Sequence, residues 1–127
     1  MKLLTTLSLG LLISINIFGQ QDKIKDIVSQ GTDLHDKGKY DEAIVMYKTA
    51  LQIDENSTLA NYELSYTYMA AGQYDNAVKY SKKVIELNTD NQQGAYIVLG
   101  SSLDMQGKPG KAIKAYEEGL EKFPNSN

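Results

Sequence analysis

The apolar positions of this chain recur at helical spacing, and the whole pattern then recurs along the sequence. Ala43, Tyr47, Ala50 and Leu51 fall on one helical face, because residues three and four apart lie above one another. Ala77, Ser81, Val84 and Ile85 repeat that face, and Ala112, Tyr116, Gly119 and Leu120 repeat it again. A second set interleaves with the first: Leu64, Ser65 and Tyr68 correspond to Leu99, Gly100 and Leu103. The pattern predicts six helices in three pairs. The first of each pair covers about 23–37, 58–71 and 92–106, and the second about 40–53, 74–87 and 109–122. Gly38, Gly72 and Gly107 close the first helices, where a left-handed terminal residue is needed and glycine adopts it cheaply. Pro109 opens its helix, where a missing N–H costs nothing. Polar turns of Asp54, Glu55, Asn56 and Ser57, and of Asn88, Thr89, Asp90 and Asn91, separate the pairs.

The interval is fixed. G-K-Y-D-E-A-I at 38–44 returns as G-Q-Y-D-N-A-V at 72–78 and as G-K-P-G-K-A-I at 107–113. Gly38 to Gly72 is 34 residues, and Gly72 to Gly107 is 35. The extra residue is placed most simply in the turn at 88–91. A constant period of this length specifies a solenoid of stacked helix pairs. Gly31, Ser65, Gly100, Ala43, Ala77 and Ala112 are small enough to let paired helices approach closely, with bulky side chains filling the space beside them.

The period, the small residue eight places into each unit and the G-x-Y-x-x-A core resemble the tetratricopeptide repeat. Three units, about 24–57, 58–92 and 93–126, cover nearly the whole chain after residue 19, and Pro124 stands where the family often ends a repeat. The resemblance implies an all-α, right-handed α-solenoid of three helix-turn-helix units. Five departures are local. Gln30 takes a slot the family usually fills with Leu, Ser81 replaces an aromatic, and Glu55 and Thr89 replace the turn proline. Gly119 replaces Ala, at about 1 kcal/mol of helix propensity. They imply slack packing in the first and third units.

The first 19 residues read differently. Lys2 precedes an almost uncharged apolar run at 3–18, followed by Gly19, Gln20 and Gln21. A positive start, an apolar core and a small residue at a cut site make a secretory signal peptide. The run is shorter than the roughly 20 residues that span a bilayer. The expected product is a domain at 20–127, exported to the periplasm of a Gram-negative-type envelope or secreted. The alternative is an uncleaved segment anchoring the chain in the inner membrane.

Composition narrows the chemistry. After residue 19 the charge is 12 Lys against 16 acids, or −4, and the chain contains no Arg. A nucleic-acid binder needs a basic face, so nucleic acid is not an expected partner. The absence of Cys removes disulfides, thiolate metal sites and thiol catalysis. His35 is the only His, placed at the end of a first helix where a surface or capping role fits. Adjacent acids such as Asp41 and Glu42 point to different sides of a helix. No enzyme, cofactor or metal site is expected.

The resemblance places a peptide-binding groove along the concave face of the first helices. Its candidates in the first unit are Lys25, Val28, Thr32, His35 and Asp36. The second unit supplies Leu59, Tyr62, Tyr66, Met69 and Ala70, and the third Gly94, Ile97, Ser101, Asp104 and Met105. The core of this set is Val28, Thr32, Leu59, Tyr62, Tyr66, Met69, Ile97, Ser101 and Met105. Tyrosine buries a large area with few rotors to freeze, and methionine adapts to varied partners. The family's clamp for chaperone tails uses Lys, Asn and Arg at places that here hold Val28, Thr32, Glu63, Gly94 and Val98, so that ligand is not implied. The expected function is a non-catalytic adaptor binding a protein or peptide. The alternative is a self-associating spacer, forming a homo-oligomer through Ile113, Leu120 and Phe123 on a third unit with no capping helix after it.

Overall fold

Six helices form where the periodicity places them. A computed structural model describes the backbone of residues 2–125 and the side chains of residues 16–125. In chain order the helices are α1 (Lys2–Asp36), α2 (Tyr40–Ile53), α3 (Thr58–Ala70), α4 (Tyr74–Leu87), α5 (Gln92–Met105) and α6 (Pro109–Lys122). Consecutive helices pack as antiparallel neighbours, and α3 also touches α1 and α5. The first helices α1, α3 and α5 therefore form one continuous layer. Ser126, the expected end of the third unit, lies outside the described residues.

Only α1 departs in extent. The expected start near residue 23 is replaced by a helix running back to Lys2. No proline interrupts the chain there, and Gly10 and Gly19 each cost a helix only about 1 kcal/mol. Residues 16–23 are all exposed, and Ile24, at 1% exposure, is the first core side chain among the described residues. The side chains of most of the apolar leader lie outside those described. Among the described residues no helix is long and apolar enough to cross a membrane.

The hairpin within each unit is built the same way three times. Gly38, Gly72 and Gly107 have φ of 73°, 74° and 73°. The N–H of each donates three residues back, to His35, Met69 and Asp104 O at 2.8, 3.0 and 2.8 Å. The next residue donates five back, from Lys39, Gln73 and Lys108 to Leu34, Tyr68 and Leu103 O. This pair of bonds is the Schellman arrangement, which satisfies carbonyls that a helix end otherwise leaves open. Lys39, Gln73 and Lys108 then accept from Ala43, Ala77 and Ala112 N, so the next helix starts at once.

Paired helices meet at a matched set of positions. A Cβ on Gly31 would lie 2.6 Å from the Tyr47 ring, and one on Gly100 would collide with Tyr116. The middle unit has Ser65 and Ser81 at these places, both fully buried. Ser81 is thus no defect: a serine opposite a serine fills the space that glycine opposite tyrosine fills elsewhere. Its hydroxyl is satisfied by Val78 O at 3.1 Å.

Three expectations are corrected. The first unit is not slack: Ile24, Val28, Ala43, Ile44, Tyr47 and Ala50 join the main core cluster. Gln30 is exposed and donates to Asp26 at 3.3 Å, so it leaves no hole. The residue Gly119 lies under Tyr96, whose Cβ would be 2.8 Å from an added methyl, so close approach requires the glycine. The third unit has the smaller cluster, Leu99, Leu103, Ala112 and Ala115. There the buried Ser102 hydroxyl has no hydrogen-bond partner among the described residues. The extra residue of the second interval is not in the turn either. It lengthens α5 to 14 residues against 13 in α3. Gln92, thereby added to the first turn, is buried and donates to Val84 O.

Glycine-to-alanine substitutions separate packing from propensity. We expect Gly31→Ala to destabilise by about 1–3 kcal/mol, because the buried Tyr47 has nowhere to move. Gly100→Ala should cost less, since Tyr116 is 37% exposed and can swing outward. Gly110→Ala, which meets nothing, should stabilise by up to about 1 kcal/mol. Urea unfolding of the three variants checks the order, and equal effects at Gly31 and Gly110 would remove the close-approach argument.

Candidate functional site

The first helices present a row of rings to solvent. Tyr66 stacks on His35 with centroids 5.2 Å apart and on Tyr62 at 6.5 Å. Tyr40, from the start of α2, leans on the other side of His35 at 5.2 Å. Four rings thus run from the first unit to the second. Stacked rings hold one another in place, so the wall they form is fixed before any partner arrives.

His35 is not the surface or capping residue expected from its position. Its Nδ1 lies 2.8 Å from Thr67 Oγ1, on the neighbouring unit, and its ring is half-buried. Thr67 is fully buried. Below it the buried Tyr47 hydroxyl donates to Thr32 Oγ1 at 3.5 Å, and Thr32 donates to Val28 O at 3.1 Å. His35 therefore links α1 to α3 and sets the angle at which the Tyr66 ring stands.

The groove candidates fall into three groups. Tyr66, Ile97 and Met105 are open, at 41%, 52% and 61% exposure, and Lys25, Asp36, Ala70 and Asp104 are also exposed. Thr32, Leu59, Tyr62, Met69, Gly94 and Ser101 are half-buried. Tyr62 covers Gly94, whose absent side chain leaves room for the phenol. Leu59, Tyr62 and Met69 pack on the main core, so part of each is structural. Ser101 is tied to the Tyr116 hydroxyl at 3.0 Å. Val28 is a correction: at 3% exposure it is a core side chain that no ligand reaches.

The residues proposed for self-association also separate. Ile113 and Leu120 are exposed. Leu120 and Ile97 line a cavity of ≈270 Å³ with Gln93, Tyr96, Tyr116 and Gly119. Phe123 does not belong to that outer face. It is half-buried and lines a second cavity, of ≈490 Å³, with Tyr62, Gly94 and Ile97. The end of α6 is drawn there by Lys122, which donates to Asn88 Oδ1 at 2.6 Å and to Gln92 Oε1 at 3.4 Å. Ile97 borders both cavities, so the groove and the end face are one surface.

Sequence reasoning named Glu63 only as a lost clamp position, yet its environment is the most unusual in the groove. It sits on α3 beside Tyr62 and is half-buried. Burial pushes its carboxyl up, and the Asp36 charge pushes the same way. The Tyr62 phenol is also pushed up, by burial first and then by Glu63 and Tyr66. The ion pairs among the described residues join Lys39 to Glu42 and Lys114 to Glu118, both 3.9 Å and well exposed. Neither reaches Glu63. No group of three or more His, Asp or Glu among the described residues could hold a metal ion.

The pattern of the family described as Tetratricopeptide repeat matches residues 34–98, and a second pattern of the same description matches residues 95–126. The chain belongs to the tetratricopeptide repeat family. It is similar to the F-box/TPR repeat protein pof3 of Schizosaccharomyces pombe, 30% identical over 99 residues, which cover 77% of this chain and 17% of that protein. Small glutamine-rich tetratricopeptide repeat-containing protein 2 of Mycosarcoma maydis is 25% identical over 104 residues, 82% of this chain and 29% of that one. The chain therefore spans less than a third of the length of these relatives. Among solved structures, the first TPR of Spaghetti (RPAP3) bound to the HSP90 peptide SRMEEVD has a TM-score of 0.76 at 26% identity, covering 83% of this chain and 82% of that one. MamA has a TM-score of 0.73 at 29% identity, covering 80% and 58%.

A half-buried carboxylate without a cation should destabilise this tetratricopeptide unit when ionised. The cost is absent below the pKa of an unfolded-chain glutamate and complete once the pH has risen past the raised folded value. Glu63→Gln removes it. We expect a gain in Tm of at most a few degrees at neutral pH, shrinking towards zero near about pH 4. Thermal melts at both pH values check this, and an equal gain at both would show that charge burial is not the cause.

Proposed function

We propose that this chain is a non-catalytic protein–protein interaction adaptor that holds a peptide or a partner's helix along the face formed by α1, α3 and α5. The observation that carries this reading is the exposed strip of Tyr66, Ile97 and Met105 beside a preformed ring wall. Large apolar side chains left open next to rigid aromatic rings suit partner anchoring, since little freedom remains to be lost on binding. The related Spaghetti domain, which binds a peptide, supports the same use of the fold.

Capture on the immobilised full chain, compared with Tyr66→Ala plus Ile97→Ser, tests the reading. Both side chains are exposed, so helicity should be unchanged. A protein retained by wild type and lost from the variant is the expected result, and equal retention would remove the groove. Tyr62→Ala is a poorer variant, because it uncovers Gly94 and opens the core edge.

The adaptor is proposed to act in a bacterial cell envelope, with residues 1–19 as a cleaved export signal. The apolar run at 3–18 supports this, as does the full exposure of residues 16–23 ahead of the buried Ile24. Intact mass of the protein recovered from its host should then correspond to a chain starting at Gln20, and a full-length mass would favour an anchored form. Self-association is a second reading, favoured by the ≈270 Å³ apolar cavity between Ile97, Tyr116 and Leu120. Sedimentation should show concentration-dependent size that Leu120→Lys abolishes, and a monomer at every concentration would exclude it.

A further inference from the structure

Charge is sparse on two of the three first helices. The helix α3 carries one charged side chain, Glu63, and α5 carries one, Asp104. Asp36 closes α1, and its charge reaches Glu63. By contrast α4 carries Lys79, Lys82 and Lys83 with Asp75 and Glu86, and α6 carries Lys111, Lys114 and Lys122 with Glu117, Glu118 and Glu121. Most of these lysines line two outward cavities, one with Leu99 and Leu103 and one with Leu51 and Tyr80. Neither shares a residue with the cavities at Tyr62 and Ile97. Lys25, on α1, faces the inter-unit turns with Asp54 and Asp90. Lys122 is held by Asn88 and Gln92 at the far end of the groove.

The groove carries Asp36, Glu63 and Asp104, of which Glu63 alone is half-buried. At its α1–α3 end stand Asp36 and Glu63 beside the rings of His35, Tyr66 and Tyr62, with no ion pair to either acid among the described residues. At its α5–α6 end stand Ile97 and Phe123. We propose that the peptide held here carries an arginine or lysine seated on Glu63 and Asp36, and an apolar side chain seated against Ile97 and Phe123. This rests on the groove being the binding face.

A guanidinium or ammonium group supplies what Glu63 lacks. It would form charge-assisted hydrogen bonds to a carboxylate already stripped of part of its water, where such bonds are strongest. The methylene stem would lie along the tyrosine wall while the charged head reaches the acids. Two acids side by side repel each other in the free protein, and one cation relieves both. The same groove opposes an acidic ligand such as the SRMEEVD peptide of the Spaghetti structure, whose three acids would meet Glu63 and Asp36.

Fluorescence anisotropy with two labelled peptides of about ten residues tests the assignment. One alternates Arg and Lys with Leu and Phe, and the other has Glu in place of every Arg and Lys. The full chain should bind the basic peptide in preference. Affinity should fall about tenfold in Glu63→Gln with Asp36→Asn, a size expected for losing a partly desolvated charge pair. Glu117→Gln with Glu121→Gln removes the same charge from exposed positions of α6 and should leave affinity unchanged. Thermal melts should show the Glu63 and Asp36 variant to be at least as stable as wild type, so a loss of binding is not unfolding. An equal loss in both double variants, or none in either, overturns the assignment. Preference for the acidic peptide, abolished by Tyr66→Ala, overturns it while leaving the groove in place. Binding of both peptides untouched by Tyr66→Ala overturns the groove reading itself.

Discussion

Two helices can lie as close as these pairs do only where one of them gives up volume at the crossing. Gly31 against Tyr47 and Gly100 against Tyr116 meet that condition by setting no side chain against a large ring. The middle unit meets it with two buried serines. The rest of the solenoid follows from this contact. It fixes the distance between the helices of a pair, and the left-handed glycine that follows each first helix fixes their angle. With both set, every first helix falls into one layer, and the surface of that layer is the groove.

The groove's character comes from what the layer cannot cover. Tyr62 is partly consumed by the fold, since it fills the place left open at Gly94. Tyr66 is held between His35 and Tyr62 but keeps much of its surface in water. His35 joins the two units through Thr67. Structural and binding roles are thus divided along one ladder of rings, with the exposed members supported by the buried ones. On the inner face Glu63 and Asp36 form no ion pair among the described residues.

Much of the fold was legible in the sequence. The apolar spacing, the three glycines and the fixed interval placed five of the six helices almost to the residue. These features are local: a helix face, a cap and a turn each depend on residues a few positions apart. Apart from the start of α1 and the place of the extra residue, the misreadings involved contacts made at a distance. Gly119 looked like a propensity loss until Tyr96 was seen above it. Val28 looked like a groove residue because spacing gives direction around a helix and not depth. Phe123 was assigned to an end face because nothing in the sequence links Lys122 to Asn88 and Gln92.

The sequence by itself determined that this protein is a stack of three helical hairpins, because repetition and helical period are properties of the chain alone. Only the tertiary structure decided which side chains of the first helices remain accessible. It also decided that Ile97 joins groove and end face, and that Glu63 stands half-buried beside Asp36 with no cation paired to it. The reason is physical. Burial and electrostatic environment are set by every helix packed around a residue, and for Glu63 those neighbours come from separate units of the repeat.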